Sequence, residues 1–391
     1  MNVWAAARVV SRRQPQAAFI ALLLLTRSTP VLPAERVDPH FLPANVRYAR
    51  NAKCDAVNIH MPPSTHSAVY GNMISPEPAD MPLSQGDTAI CFAYATADMI
   101  SQRVGTEISA LDVATKYYFA DPERLAQTTN HDLQRHLRGM GDYRAAIAES
   151  RATMDVSSEH NPDRYPYIDM LEGGEEDVAA LLYNIGGLCK DQDLPSYDGF
   201  THFGALPLLR TLMQESPPAQ YSIISLAGVA PALRSPKTDA FNAAWISRVD
   251  KRCRRRPLPV PLLPMNYRVA ANQASFMQLL EEGRPPSDSQ VGRMFAMIDY
   301  ALDHNRAPAI GYSWYVLEKR DPEDPDLVAD HSSVIIGRRK VGETCQYRVQ
   351  DNTGEYCAPM REGIRDRCEL GRIWLTEDEL KRTLYSVTYL R

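Results

Sequence analysis

The sequence predicts an α+β protein with a helical first half and an antiparallel, β-rich second half, the active-site cleft lying between them. Three observations carry this expectation. Apolar residues recur at helical intervals through most of residues 88–187. Runs of β-branched and aromatic residues, separated by turn signals, fill the chain from Ala307 to Leu390. Between these regions lies "RVDKRCRRRPLPVPLLP", Arg248 to Pro264, whose alternating prolines favour an extended connection and leave no place for a central strand or a helix.

Taken in order, the chain begins with Arg8, Arg12 and Arg13 ahead of an apolar run, Ala17 to Leu25, followed by Pro30, Pro33 and Ala34. The run is about half the length needed to span a bilayer, and the basic-then-apolar order reads as a cleaved export signal over residues 1–34. Residues 35–80 are rich in proline and polar residues, the pattern of an extended arm that Cys54 is placed to tie down. "TAICFAYATADMISQ" has helical spacing at Ile90, Tyr94, Ala97 and Ile100 and closes at Gly105; Thr88 as its N-cap would put Cys91 in the first turn. "ISALDVATKYYFA" and "DLQRHLRGMGDYRAAIAESR" are amphipathic, and "GGEEDVAALLYNIGG" is a short helix with acids in its first turn and glycine at its end. The second half opens with the helix "DSQVGRMFAMIDYALDH" and continues as strands in "APAIGYSWYVL", "HSSVIIGRRK", "CQYRVQD", "RIWL" and "YSVTYL".

A length of 391 residues allows one large domain or two medium ones, and 44% hydrophobic with 23% charged residues is ordinary globular composition. The net charge of −5 argues against a nucleic-acid-binding surface over the whole molecule, and nothing beyond the leader suggests stable membrane insertion. Seven cysteines in an exported chain tend to pair, leaving one thiol over. If that thiol is Cys91, six remain for disulfides; Cys357 and Cys368, flanking a polar loop, are the first pair to expect. There is no CxxC or His/Cys ligand spacing, so no metal or other cofactor is expected. The basic run Arg252 to Arg256 reads as a solvated loop.

A thiol attacks carbonyl carbon as thiolate, which calls for an unpaired sulfur, a helix N-terminus and a histidine base. Cys91 fits the first two conditions. His331 stands apart among nine histidines because "ADHSSVIIG" puts it at the start of a buried strand, just after a long charged loop. The next strand, "CQYRVQDNTG", delivers Asp351 and Asn352 at its end, and either is placed to orient His331.

These segments resemble the papain-like cysteine proteases. "SQGDTAICFAYATA" is similar to that family's nucleophile segment, with Gln85 six residues before Cys91 and the aromatic Phe92 after it. "ADHSSVIIG" resembles the histidine strand with its glycine, here Gly337, six positions on. "LEGGEEDVAALLYNIGGLCKDQDLPSY" resembles the family's Gly-Gly loop and following helix, while "GRIWLTEDEL" and "YSVTYL" resemble its closing strands. The resemblance implies a catalytic domain over residues 81–391, with insertions near 106–165 and 200–265 accounting for the 240 residues from Cys91 to His331. It also implies a cysteine-type peptidase acting on peptides or proteins through an acyl-enzyme, secreted or periplasmic, with no indication of oligomeric state. Gln85 and the Cys91 N–H would form the oxyanion hole, and Gly173, Gly174, Ala329 and Ser332 would line the substrate cleft.

The departures are informative. Thr88 and Leu171 replace both halves of one family disulfide. Aligned on Gly354, Asp351 takes the place of the family's asparagine and Thr353 that of the tryptophan that shields it; a shift of one residue would restore Asn352. The glycine match favours Asp351. A Cys-His-Asp order also suits a transglutaminase-like acyl transferase, and the lost tryptophan suits an inactive peptide-binding fold.

Overall fold

The computed structural model describes residues 54–63, 90–152, 173–196, 243, 246–270, 273–317, 330–352, 357 and 360–391, all within one unit spanning 37–391. Among the described residues, the β-rich half is an antiparallel sheet of β1 (Val57–Asn58), β2 (Pro264–Arg268), β3 (Ala309–Ser313), β4 (Asp330–Val341), β5 (Thr344–Gln350), β6 (Cys368–Glu369), β7 (Arg372–Thr376) and β8 (Leu384–Leu390). Its order is β2-β8-β3-β4-β5-β7-β6, with β1 added to β4. β8 is buried along its whole length and β4 from His331 to Arg338, so their near-continuous apolar and small residues match positions covered on both faces. β4 returns as β5 through a two-residue turn, in which Gly342 at φ 60° takes the left-handed conformation that such a hairpin requires.

The helical half consists of α1 (Cys91–Val104), α2 (Ala110–Phe119), α3 (Pro122–Ala126), α4 (His131–Gly139), α5 (Tyr143–Ala152) and α6 (Glu176–Tyr183). Every residue of α1 from Phe92 to Ser101 is buried, which marks a helix enclosed on all sides. It lies between α2 and α6 on one side and β4 on the other, and Gly105 ends it at φ 67° by returning its N–H to the Ser101 carbonyl. The second half adds α7 (Gln273–Glu281), α8 (Asp288–Asp303), α9 (Glu362–Arg365) and α10 (Glu377–Lys381). α8 is held at its start by a full capping box between Ser287 and Gln290.

Two expectations change. α1 begins at Cys91 itself with Ile90 as N-cap and no capping side chain, so the helix starts later than a Thr88 cap would allow; Ile90 is fully buried, and its packing replaces a polar cap. The connection at 248–264 is not uniformly extended, since residues 246–252 are helical and Arg256 pairs with Leu188 before Pro264 opens β2. Among the described residues β2 pairs only with β8, and proline is tolerated at the first residue of such an edge strand.

Three disulfides join Cys54 to Cys345, Cys189 to Cys253 and Cys357 to Cys368, and Cys91 is free. The first fastens the arm, whose Val57 and Asn58 sit opposite Arg338 and Gly337 of β4. Residues 1–34 lie outside the described residues; among the latter no helix is long and apolar enough to cross a membrane.

Candidate active site

Cys91 is the first residue of α1, where unpaired backbone N–H groups and the helix dipole favour a negative sulfur. The backbone N–H groups of Phe92 and Ser332 act on its sulfur in the direction that favours the thiolate. A side chain crosses from the helical half to β4: Asn352 Nδ2 donates to the Cys91 carbonyl at 3.0 Å and to the Ser332 carbonyl at 2.9 Å. Cys91 is therefore fixed against the residue that follows His331.

His331 occupies the second position of β4, opposite Tyr312 in β3, and is 4% exposed. Its Nε2 lies 2.7 Å from Asp351 Oδ1, at the end of β5, and Ser333 Oγ donates to the same oxygen at 3.3 Å. With Nε2 engaged by the carboxylate, Nδ1 is the ring atom left to exchange a proton with the thiol. Asp351 is fully buried and its backbone N–H is held by the Gly371 carbonyl. The carboxylate thus reaches the imidazole, while Asn352 binds the two backbones together. Among the described residues the buried Asn352 Oδ1 has no partner.

A tryptophan is present after all, from another strand. Trp314, just past β3, meets the His331 ring edge-to-face with centroids 4.2 Å apart. In the sequence it is indistinguishable from the other aromatic residues of "GYSWYVL", and only the β3–β4 register, Ser313 beside Asp330, brings it to the histidine.

The helical wall is built by Gly173, Gly174 and the start of α6. Gly174 has φ 153°, and a Cβ there would sit 2.7 Å from the Phe92 ring, so close packing of this turn on the residue after Cys91 requires glycine. Tyr118 donates to the Gly173 carbonyl at 2.5 Å, and Phe92, Tyr117 and Tyr118 form an aromatic cluster behind it.

Glu176, in sequence an ordinary acid of a helix's first turn, enters the site. Ser332 Oγ donates to Glu176 Oε1 at 2.5 Å, and burial pushes the Glu176 carboxyl up to about 7. Burial, reinforced by Glu176 and Asp330 nearby, pushes the Cys91 thiol up to about 12 against the Phe92 and Ser332 N–H groups, a shift that favours the thiol over the thiolate. Behind the site, Gln350 donates to the buried Asp98 carboxyl of α1 at 2.9 Å, locking α1 to the end of β5 just before Asp351.

Of the residues singled out in the sequence, Cys91, His331, Asp351, Asn352, Gly173, Gly174 and Ser332 come together, whereas Gln85 and Ala329 lie outside the described residues. So do Thr88, Leu171, Thr353 and Gly354. A cavity of about 660 Å³ bordered by Asp55, Leu302, Asp303 and Arg338 lies toward the other end of β4 and holds no nucleophile. In the basic run, Arg255 turns inward to Asp112 and Asp250, both at 2.6 Å, while Arg252, Arg254 and Arg256 are exposed.

No family model matches the chain, and no curated protein matches it. Among solved structures, PepW from Lactobacillus rhamnosis HN001 is 10% identical at a TM-score of 0.36, covering 85% of this chain and 81% of its own. A structure from work on the mite allergens Blo t 1 and Der p 1 is 12% identical at 0.36, covering 80% of this chain and 66% of its own. Xylellain, a cysteine protease from Xylella fastidiosa, is 12% identical at 0.33, covering 85% of this chain and 91% of its own. These likenesses say nothing about the chemistry of the site.

Proposed function

We propose that this protein is a papain-like cysteine peptidase that cleaves peptide bonds through an acyl-enzyme on Cys91. The observation that carries the reading is the alignment of three groups. A free thiol at a helix start is tied through Asn352 to the Ser332 backbone, the neighbouring His331 is fixed in a strand, and Asp351 holds the Nε2 of that histidine at 2.7 Å. The order of segments in the sequence supports it independently.

Substrate carbonyl carbon approaches the sulfur, and His331 Nδ1 takes the thiol proton as the S–C bond forms. The oxyanion is met by the Cys91 N–H and the Gln85 side chain, a donor pair worth about 3 kcal/mol per donor in comparable sites. His331 then passes its proton to the leaving amine, the C–N bond breaks, and water, deprotonated by the same nitrogen, releases the acid. Asp351 stabilises the imidazolium in both steps, and Trp314 keeps water from one face of the ring.

Three disulfides support an oxidising destination and hence the export reading. The carboxylate partner of His331 favours one second reading, a transglutaminase-like transfer of the acyl group to an amine. Peptide turnover by wild type, Cys91→Ala and His331→Ala, with and without a primary amine, separates them. Hydrolysis that depends on both residues and incorporates no amine is expected; amine incorporation in its place would favour the transferase, and no turnover of either kind would remove both readings.

A further inference from the structure

Glu176 opens α6 directly after the Gly173–Gly174 turn and is only 8% exposed. Its carboxyl accepts from Ser332 Oγ, and Glu176 and the Ser332 backbone both act electrostatically on the Cys91 sulfur, so carboxyl, hydroxyl and thiol lie along one lining. A buried carboxylate ordinarily has a cation beside it, because desolvation otherwise costs several kcal/mol. Among the described residues no cation pairs with Glu176. The one positive group that acts on it, Arg268, is spent on its sequence neighbours Glu175 and Asp177.

A second carboxylate, the exposed Asp330, acts on the same sulfur from the β4 side, and the Tyr385 hydroxyl bonds it. The other titratable groups facing this lining are His331, Tyr312 and Asp177. Once Glu176 is ionised, negative charge thus lies on both sides of the position where reaction must create one more. That arrangement opposes catalysis on a neutral substrate and suits a cationic one, whose charge would answer Glu176 and Asp330 together.

We propose that Glu176 forms the floor of a subsite for a lysine or arginine side chain of the substrate, and that the cation seated there offsets the negative charge opposing the Cys91 thiolate. This rests on the peptidase reading. Recognition and activation are then one event, since a neutral side chain leaves the nucleophile suppressed.

The test uses peptidyl amides in which one arginine is moved through the three residues before the scissile bond, each paired with its citrulline counterpart, which keeps the shape and loses the charge. At one position wild type is expected to favour arginine by about tenfold or more in kcat/KM, the scale of a close charge pair at the protein surface. Glu176→Gln should cut that ratio to near one by losing arginine and gaining on citrulline, and the exposed Asp330→Asn should reduce it in part, with thermal unfolding of both variants near wild type. Equal rates on arginine and citrulline at every position, or a ratio untouched by Glu176→Gln, would overturn the proposal.

A second arm is independent of turnover. The pH profile of Cys91 alkylation by iodoacetamide should move to lower pH with N-acetylarginine amide in wild type, but with neither citrulline amide nor Glu176→Gln. An unmoved profile would overturn the subsite. A moved profile without hydrolysis of any amide would uphold the subsite and remove the peptidase reading.

Discussion

His331 Nε2 and Asp351 Oδ1 stand 2.7 Å apart, with both side chains withdrawn from solvent. A carboxylate so placed fixes the imidazole's tautomer and stabilises the cation formed when it accepts the thiol proton. Asp351→Asn preserves the shape and removes that stabilisation, so kcat/KM should fall by about 10²- to 10⁴-fold with little change in KM. Asn352→Ala should act differently. It removes two buried hydrogen bonds between α1 and β4, costing about 1–3 kcal/mol of stability, and should lower activity less than the Asp351 change. Equal activities of wild type and Asp351→Asn would remove Asp351 from the mechanism.

Trp314 should act on the same histidine through packing alone. Trp314→Ala exposes a ring face now covered at 4.2 Å and should lower kcat by about 10-fold or more, whereas Trp314→Phe keeps an aromatic edge there and should retain most activity. The comparison is made on variants whose thermal unfolding is first shown to be cooperative. If alanine and phenylalanine behave alike, the contact is structural only.

How far the site is legible in the sequence follows from these same residues. Cys91, His331 and Asp351 sit at the ends of strongly patterned elements, so local spacing alone locates them. The roles of Asp351 and Asn352 are not separable in that way, because adjacent residues in a strand point to opposite faces and the choice depends on register with β4. Trp314 and Glu176 escape a sequence reading for a related reason. Each looks ordinary in its own segment and acquires its role only through contacts made by residues far away in the chain. β2 is hidden by the prolines before it, a rule that weakens at a sheet edge.

Stability should depend on pH in a way set by buried groups. Burial raises Glu176 from 4.5 to about 7 and Asp98 from 3.8 to about 7, so between these values the folded chain holds protons that the unfolded chain has lost. By linkage, stability falls as pH rises through this window. Lys116 works in the opposite sense at higher pH: burial lowers it from 10.5 to about 8, so the folded chain binds fewer protons there and stability should recover above pH 8. Denaturant titrations from pH 5 to 7 should show a loss on the order of 4 kcal/mol, about half from each group. Asp98→Asn and Glu176→Gln should each flatten the slope. A profile that rises between pH 5 and 7 would contradict these assignments.

The arm's disulfide can be separated from the chemistry. Cys54–Cys345 closes a loop of 291 residues and fastens β1 at Gly337 and Arg338, well along β4 from His331. Replacing both cysteines by serine should lower stability by about 5–6 kcal/mol in the chain-entropy account. Alkylation of Cys91 should survive at temperatures where the variant remains folded. Loss of that reactivity in a folded variant would show that the arm shapes the site.

The central claim is that Cys91 is a nucleophile served by His331. Intact-mass analysis after treatment with a peptidyl epoxide, followed by mapping of the modified peptide, tests it most directly. One adduct per chain on Cys91, absent in Cys91→Ala and slowed at least about 100-fold in His331→Ala, is the predicted result. An unmodified Cys91 in folded wild-type protein, or labelling indifferent to His331, would contradict the account.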